Sequence, residues 1–222
     1  MNGSGNKIRR IDAVQPKRED IIQAAGIIKA GGVVVFPTAC LYGLGANAVD
    51  PLAIERLYAI KQRPAGKPIL LLIHDLMQLQ QLVRNIPAVA EKLINHFWPG
   101  QVTLVFHALR SLPQGLTAGS GKIGVRMASH PAAIRLLQAV GRPMTGTSAN
   151  LSGQPGCADI AALDPAVSAA VDLILDAGRL EGGQGSTVVD VTVSPPVVLR
   201  EGAVAAGRIR SVVQERSKGI DK

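Results

Sequence analysis

The sequence predicts an α/β protein, a twisted, open sheet of mixed parallel and antiparallel strands with flanking helices. Three observations carry that reading. Apolar runs of strand length at 33–36, 69–73 and 102–106 alternate with segments of helical period, and a further run at 123–127 is followed by another. Aromatic residues are only 3 % of the chain while hydrophobic residues are 47 %, so the core is built from Val, Ile, Leu and Ala. The last strands, 188–193 and 197–199, follow one another through Ser194-Pro195-Pro196 with no helix between them, which makes part of the sheet antiparallel.

Taken in order, residues 1–16 read as a flexible polar lead with a short strand near 8–14. Residues 17–30 form a helix: Ile21, Ala24, Ala25 and Ile28 share a face, and Gly31 stands where a helix C-terminal glycine belongs. The run 33–36 is a strand buried on both faces. It ends in Pro37-Thr38, and a loop with two glycines, Gly43 and Gly45, follows. Asp50-Pro51 opens a second helix, with aspartate as N-cap and proline in the first turn. Ile54, Leu57, Tyr58 and Lys61 fall on adjacent helical positions, and Lys61, Arg63 and Lys67 gather at the far end. Residues 69–73 are another buried strand, and 75–83 and 87–97 are helices. Val89, Leu93 and Phe97 line one face of the latter, which Trp98-Pro99-Gly100 breaks.

Residues 102–106 read as a strand, 109–122 as a surface loop rich in Gly, Ser, Pro and Thr, and 123–127 as a strand. A helix over 131–140 is closed by Gly141. A short strand over 144–147 leads into Ser148-Ala149-Asn150-Leu151-Ser152-Gly153. A helix-poor stretch precedes a strand at 173–175 and a glycine-rich loop at 181–185, and a short helix near 208–214 comes before a charged tail. There is no internal repeat and no linker long enough to divide the chain. The expectation is one domain over 1–222, with its core at about 15–210 and polar tails.

The 222 residues carry a formal charge of +8. That excess suits polyanionic partners, namely nucleic acid, nucleotides or acidic membrane surfaces, and equally a solvated basic surface. Cys40 and Cys157 belong to no CxxC pattern, so neither a zinc site nor a disulfide framework is indicated, and isolated cysteines suit a reducing compartment. His74, His96, His107 and His130 show no HxxxH or HExxH spacing, so no metal centre is expected. His130, ahead of Pro131, reads as a helix cap rather than a ligand contact. The polar N-terminus lacks the apolar stretch of a signal peptide, and no 18-residue apolar run occurs. The expectation is a cytoplasmic protein without membrane contact.

Three places join a strand end to small polar or basic groups: Thr38 with Lys61, Arg63 and Lys67; Arg126 with Thr147, Ser148, Asn150 and Ser152; and Ser186-Thr187 with Arg200. Ligands of open α/β sheets bind beyond the strand carboxyl ends, and such cations recognise phosphates and carboxylates. Each place also has a plain structural reading. The cations can be a solvated helix end that complements the dipole, Ser148 and Asn150 a simple turn, and Ser186-Thr187 a strand start. Neither GxxxxGK[ST] nor GxGxxG occurs. Cys40 reads as a packing residue, since no residue identifies itself as its base. Asp190 reads as a strand residue rather than a metal ligand.

The motifs together resemble the YrdC-type threonylcarbamoyl-AMP synthases. The matching pieces, in order over about 15–210, are Pro37-Thr38 with Tyr42-Gly43-Leu44-Gly45, Lys61-Gln62-Arg63-Pro64 with Lys67-Pro68, and Trp98-Pro99-Gly100 with Thr103. Gly124-Val125-Arg126 with His130-Pro131 follows, then 147–153, Ser186-Thr187-Val188-Val189-Asp190 and Arg200-Glu201-Gly202-Ala203. The resemblance implies a YrdC-like fold and the condensation of L-threonine, bicarbonate and ATP to threonylcarbamoyl-adenylate and pyrophosphate. A separate tRNA threonylcarbamoyl-transferase complex would use that product for N6-threonylcarbamoyladenosine at tRNA position 37.

It further implies that Lys61 and Arg63 are catalytic and bind ATP with Lys67, Asn150 and Arg200. Thr38, Arg126, Ser148 and Ser186 would hold threonine and bicarbonate, and Mg2+ would arrive with ATP, with no structural metal held by the protein. Ala39 and Cys40 replace the family's usual acidic residue and second threonine, Leu72 stands where longer members have histidine, and Met127-Ala128-Ser129 stands where a proline is common. The chain reads as the short form. The alternative is a non-catalytic protein of this fold that binds tRNA or double-stranded RNA through its basic surface; scarce aromatics speak against single-strand stacking.

Overall fold

The computed structural model describes residues 7–215. The first six residues of the polar lead and the charged tail beyond 215 lie outside the described residues. The elements are β1 (Ile8–Arg10), α1 (Arg18–Lys29), β2 (Val34–Pro37), β3 (Tyr42–Gly45), α2 (Pro51–Lys61), β4 (Leu71–Ile73), α3 (Leu76–Gln80), α4 (Ala88–Phe97), β5 (Val102–His107) and α5 (Gln114–Thr117). There follow β6 (Lys122–Met127), α6 (Pro131–Val140), β7 (Met144–Thr145), β8 (Thr147–Ser148), a 3-10 turn (Ile160–Ala162), α7 (Pro165–Ala170), β9 (Leu173–Asp176), β10 (Thr187–Asp190), β11 (Val197–Arg200) and α8 (Ala206–Gln214).

The helix signals act as expected. Ile21, Ala24, Ala25 and Ile28 of α1 are buried, and Gly31 takes φ +86° beyond its end. The Asp50 carboxylate accepts from the Leu52 and Ala53 amides at 3.0 and 3.4 Å, satisfying donors that α2 cannot pair internally. His130 caps α6: its Nδ1 accepts from the Ala132 amide at 3.2 Å, and Gly141 closes the helix at φ +71°.

The strands mix parallel and antiparallel pairing and divide into two sheets, ordered β1-β9-β2-β3-β8 and β11-β10-β5-β6-β4-β7. Val33, just ahead of β2, and Val35 within it point into one apolar core, shared with α2 and α4, while Val34 and Phe36 point into another, shared with α1 and α6. A strand period of two with both faces buried explains its unbroken apolar run.

Four local expectations change. The segment holding Gly43 and Gly45 is not a loop but β3, paired antiparallel with β2 so that Gly43 faces Phe36 and Gly45 faces Val34. Neither glycine has a positive φ. They are small because a Cβ on Gly45 would lie 2.7 Å from Met144 Cε and 2.9 Å from the Phe36 ring. The single strand expected over 144–147 is two: β7 pairs with β4 in one sheet and β8 with β3 in the other. Gly146 makes the crossing, at a point where a Cβ would sit 2.4 Å from Leu72 Cγ. The loop 109–122 contains α5, which buries Leu116 and Thr117. The helix-poor stretch contains α7, opened by Asp164-Pro165 in the way that Asp50-Pro51 opens α2. Among the described residues no helix is long and apolar enough to cross a membrane.

Gly45→Ala should therefore lower stability by roughly 1–3 kcal/mol through overpacking. Gly66→Ala, where an added Cβ meets nothing within 4 Å, should stay within about 0.5 kcal/mol of the parent. Urea unfolding of both variants checks the pair; equal stabilities would mean that Gly45 is not a packing requirement.

Candidate active site

A cleft of about 850 Å³ opens over the six-stranded sheet. Its floor follows strand parity. Lys122, Gly124 and Arg126 of β6 line it at alternate positions, beside Thr103 and Val105 of β5 and Val188 and Asp190 of β10. The walls come from elsewhere: Thr38 and Cys40 from the β2–β3 turn, Ser148 from β8, Ser186 and Arg200 from around β10 and β11, and Arg63 from beyond α2. Both sheets thus contribute residues to one cavity.

Arg126 is only 9 % exposed. Its Nε has no hydrogen-bond partner, and among the described residues no carboxylate pairs with it. Burial, reinforced by Arg200 and opposed by Cys40, pushes its pKa down to about 10, so it remains cationic at neutral pH. A buried guanidinium without a counter-anion is costly unless a ligand supplies the anion. Arg200 is held beside it: Nη2 donates to the Ser186 carbonyl at 2.7 Å and lies 3.4 Å from Ser186 Oγ. Ser186 Oγ is 2.8 Å from Thr103 Oγ1. Thr38 Oγ1 donates to the Leu41 carbonyl at 2.6 Å, which fixes the turn that carries it.

The cations expected as one cluster separate. Lys61 is 1 % exposed, and its ammonium donates to the carbonyls of Ser148 (2.6 Å) and Asn150 (2.8 Å) and to Asn150 Oδ1 (3.3 Å). Burial first, then Arg63, push its pKa down to about 8, which leaves it protonated at neutral pH. Asn150 in turn donates to the carbonyls of Leu151 and Gln154 at 2.7 and 2.6 Å and bonds Ser148 Oγ. Lys61 and Asn150 thus lie within the wall and tie down the 148–154 loop rather than lining the cavity. They fall there because Gln62, at φ 47°, ends α2 one residue after Lys61 and turns the chain, so Lys61 points inward with the buried face of the helix.

Arg63 does line the cleft; its Nε and Nη2 donate to the Lys67 and Pro68 carbonyls at 3.0 and 2.8 Å. The Lys67 side chain is exposed and is not among the lining groups; that residue contributes its carbonyl, which also accepts from Tyr58 Oη at 2.7 Å. Of the expected site residues, Thr38, Arg63, Arg126, Ser148, Ser186 and Arg200 meet in the cleft, Lys61 and Asn150 support it, and Lys67 lies outside.

Sequence reasoning passed over Lys122 and Thr103 as site residues. Lys122 shares strand parity with Arg126, and Thr103 is a polar residue inside an apolar strand, so both signals were present. Lys122 Nζ pairs with Asp190 Oδ2 at 2.9 Å, and Asp190 Oδ1 accepts from the Thr192 amide. Hydrogen bonds from Thr192 and Lys122 outweigh burial and hold the Asp190 carboxyl below its usual range. Asp190 is the one carboxylate among the lining residues, and no group of three or more His, Cys, Asp or Glu that could hold a metal occurs among the described residues. Cys40 Sγ accepts from Gln101 Nε2 at 3.0 Å, and burial, with Glu181, pushes the thiol pKa up, so it stays a protonated packing group.

The Sua5/YciO/YrdC family model, described as "Telomere recombination", matches residues 26–202. A threonylcarbamoyl-AMP synthase of Pyrococcus abyssi is 39 % identical over 192 residues, 86 % of this chain and 56 % of the relative. The structure of Pyrococcus abyssi Sua5 complexed with L-threonine matches with a TM-score of 0.89 at 37 % identity, over 94 % of this chain and 61 % of that one. Escherichia coli YciO matches with a TM-score of 0.83 at 34 % identity, over 90 % of this chain and 98 % of its own. The chain therefore spans a little over half the length of the Pyrococcus proteins and nearly all of YciO.

If Lys61 is a clamp, Lys61→Met should speed amide exchange of Ala149, Asn150 and Ser152 by about tenfold or more, the loss of one charge-assisted hydrogen bond. Hydrogen exchange read by mass spectrometry checks this. Unchanged exchange alongside lost ATP affinity would instead assign Lys61 to the nucleotide directly.

Proposed function

The chain belongs to the Sua5/YciO/YrdC family, and on that footing we propose that it is a threonylcarbamoyl-AMP synthase. It would condense L-threonine, bicarbonate and ATP to threonylcarbamoyl-adenylate and pyrophosphate, acting through a single unit over about residues 15–210. The observation that carries this reading is Arg126, a cation buried in a ligand-sized cleft with no anion paired to it among the described residues.

In this reading the Arg126 fork takes the threonine carboxylate, and the hydroxyls of Thr38, Ser148 and Ser186 surround the amino-acid and carbamate half. The threonine amine adds to bicarbonate, releasing water and giving a carbamate. A carbamate oxygen then attacks the α-phosphorus of ATP, the bond to the bridging β-phosphate oxygen breaks, and pyrophosphate leaves. Arg63 and Arg200 neutralise phosphate charge as it shifts to the leaving group, while Lys61 and Asn150 act on the nucleotide side through the loop that they hold. Alignment and charge neutralisation carry such a step without a strong general base.

With Asp190 already paired to Lys122, Mg2+ would enter with ATP and take its oxygens chiefly from phosphate and water. A cytosolic setting, where ATP, bicarbonate and tRNA meet, accords with the reading. The mixed anhydride would pass to a transferase complex acting on tRNA, and the +8 charge favours that approach.

Pyrophosphate release should require both L-threonine and bicarbonate and fall to background when either is omitted. Arg126→Gln should lower kcat/KM for threonine by a factor on the order of 100. A coupled pyrophosphate assay checks both; equal release without threonine would sink the assignment.

A further inference from the structure

Thr103 is 2 % exposed and sits on the cleft floor among apolar strand neighbours. Its two branches are assigned by what they meet. A Cβ on Gly124 would lie 3.1 Å from Thr103 Cγ2, so the glycine makes room for the methyl. The hydroxyl is thereby turned to Ser186 Oγ at 2.8 Å. Ser186, 4 % exposed, also receives Arg200 Nη2 at 3.4 Å.

A hydroxyl has one donor and two acceptor positions, and a guanidinium only donates. Arg200 therefore occupies one lone pair of Ser186 Oγ. Either hydroxyl can donate within the Thr103–Ser186 pair. An anionic ligand oxygen at Ser186 selects the arrangement in which Thr103 donates, because that alone leaves the Ser186 hydrogen free to point into the cleft. We infer that Thr103 is a positioning residue that, together with Arg200, holds Ser186 as a hydrogen-bond donor toward the carboxylate or carbamate of the bound amino acid. The inference rests on the synthase reading and adds a residue to its amino-acid half. Thr103 itself need not touch substrate.

A double-mutant cycle in the pyrophosphate-release assay tests it, using Thr103→Val in the parent and in Ser186→Ala. In the parent background Thr103→Val should raise KM for threonine about tenfold, the equivalent of one hydrogen bond, with a smaller change in kcat. Thr103→Ser should restore KM to within about twofold of the parent. In the Ser186→Ala background Thr103→Val should add less than about twofold, because its route of action has gone. Should Thr103→Val not fold, Thr103→Ala takes its place with the same expectation, and thermal midpoints separate lost stability from raised KM. An unchanged KM, or effects that multiply independently in the two backgrounds, overturns the inference alone. Parent release that does not depend on threonine overturns the synthase reading with it.

Discussion

A guanidinium buried without a counter-charge is the constraint on which the site depends. Taking such an ion out of water costs several kcal/mol, and among the described residues Arg126 obtains neither a carboxylate nor a hydrogen bond at Nε in return. The surrounding residues repeat the pattern. Arg63 and Arg200 are held by backbone carbonyls rather than by acids, and the one lining carboxylate, Asp190, is occupied by Lys122. Positive charge and hydroxyls thus surround the cavity, and in the proposed function the balancing negative charge comes from the ligand.

The two-sheet construction gives this arrangement its stiffness. Thr38 and Ser148 come from the sheet of β2, β3 and β8, whereas Thr103, Arg126 and the strand after Ser186 belong to the other. The chain crosses between them at Gly146, and Lys61 ties the loop after that crossing to the end of α2 through three hydrogen bonds. A lysine that is buried yet still protonated at neutral pH works here as a strut, so a substitution there acts on the geometry of Ser148 as well as on charge.

Much of this was legible in the sequence. Period and caps located α1, α2 and α6 because Asp50-Pro51, His130-Pro131 and Gly31 act locally, without reference to the rest of the fold, whereas the same Asp-Pro signal at 164–165 went unread. The cleft residues were legible as strand ends carrying small polar or basic groups. What sequence could not supply was tertiary in origin. Gly43 and Gly45 read as a loop because their role, clearing space for Phe36 across the strand pair and for the distant Met144, depends on tertiary packing. Lys61, Arg63 and Lys67 read as one cluster because adjacency along the chain hides the turn at Gln62 that sends them in different directions. Thr103 carried a visible signal, a polar residue within an apolar strand, whose meaning came only with Ser186 beside it.

The central claim is that the Arg126 guanidinium is completed by the carboxylate of an amino-acid substrate, and calorimetric titration tests it most directly. The account predicts that L-threonine binds the parent protein, that L-threoninamide, which lacks the carboxylate, binds at least about tenfold more weakly, and that Arg126→Met binds both equally poorly while being no less stable without ligand. Parent-like affinity of Arg126→Met for L-threonine would contradict it.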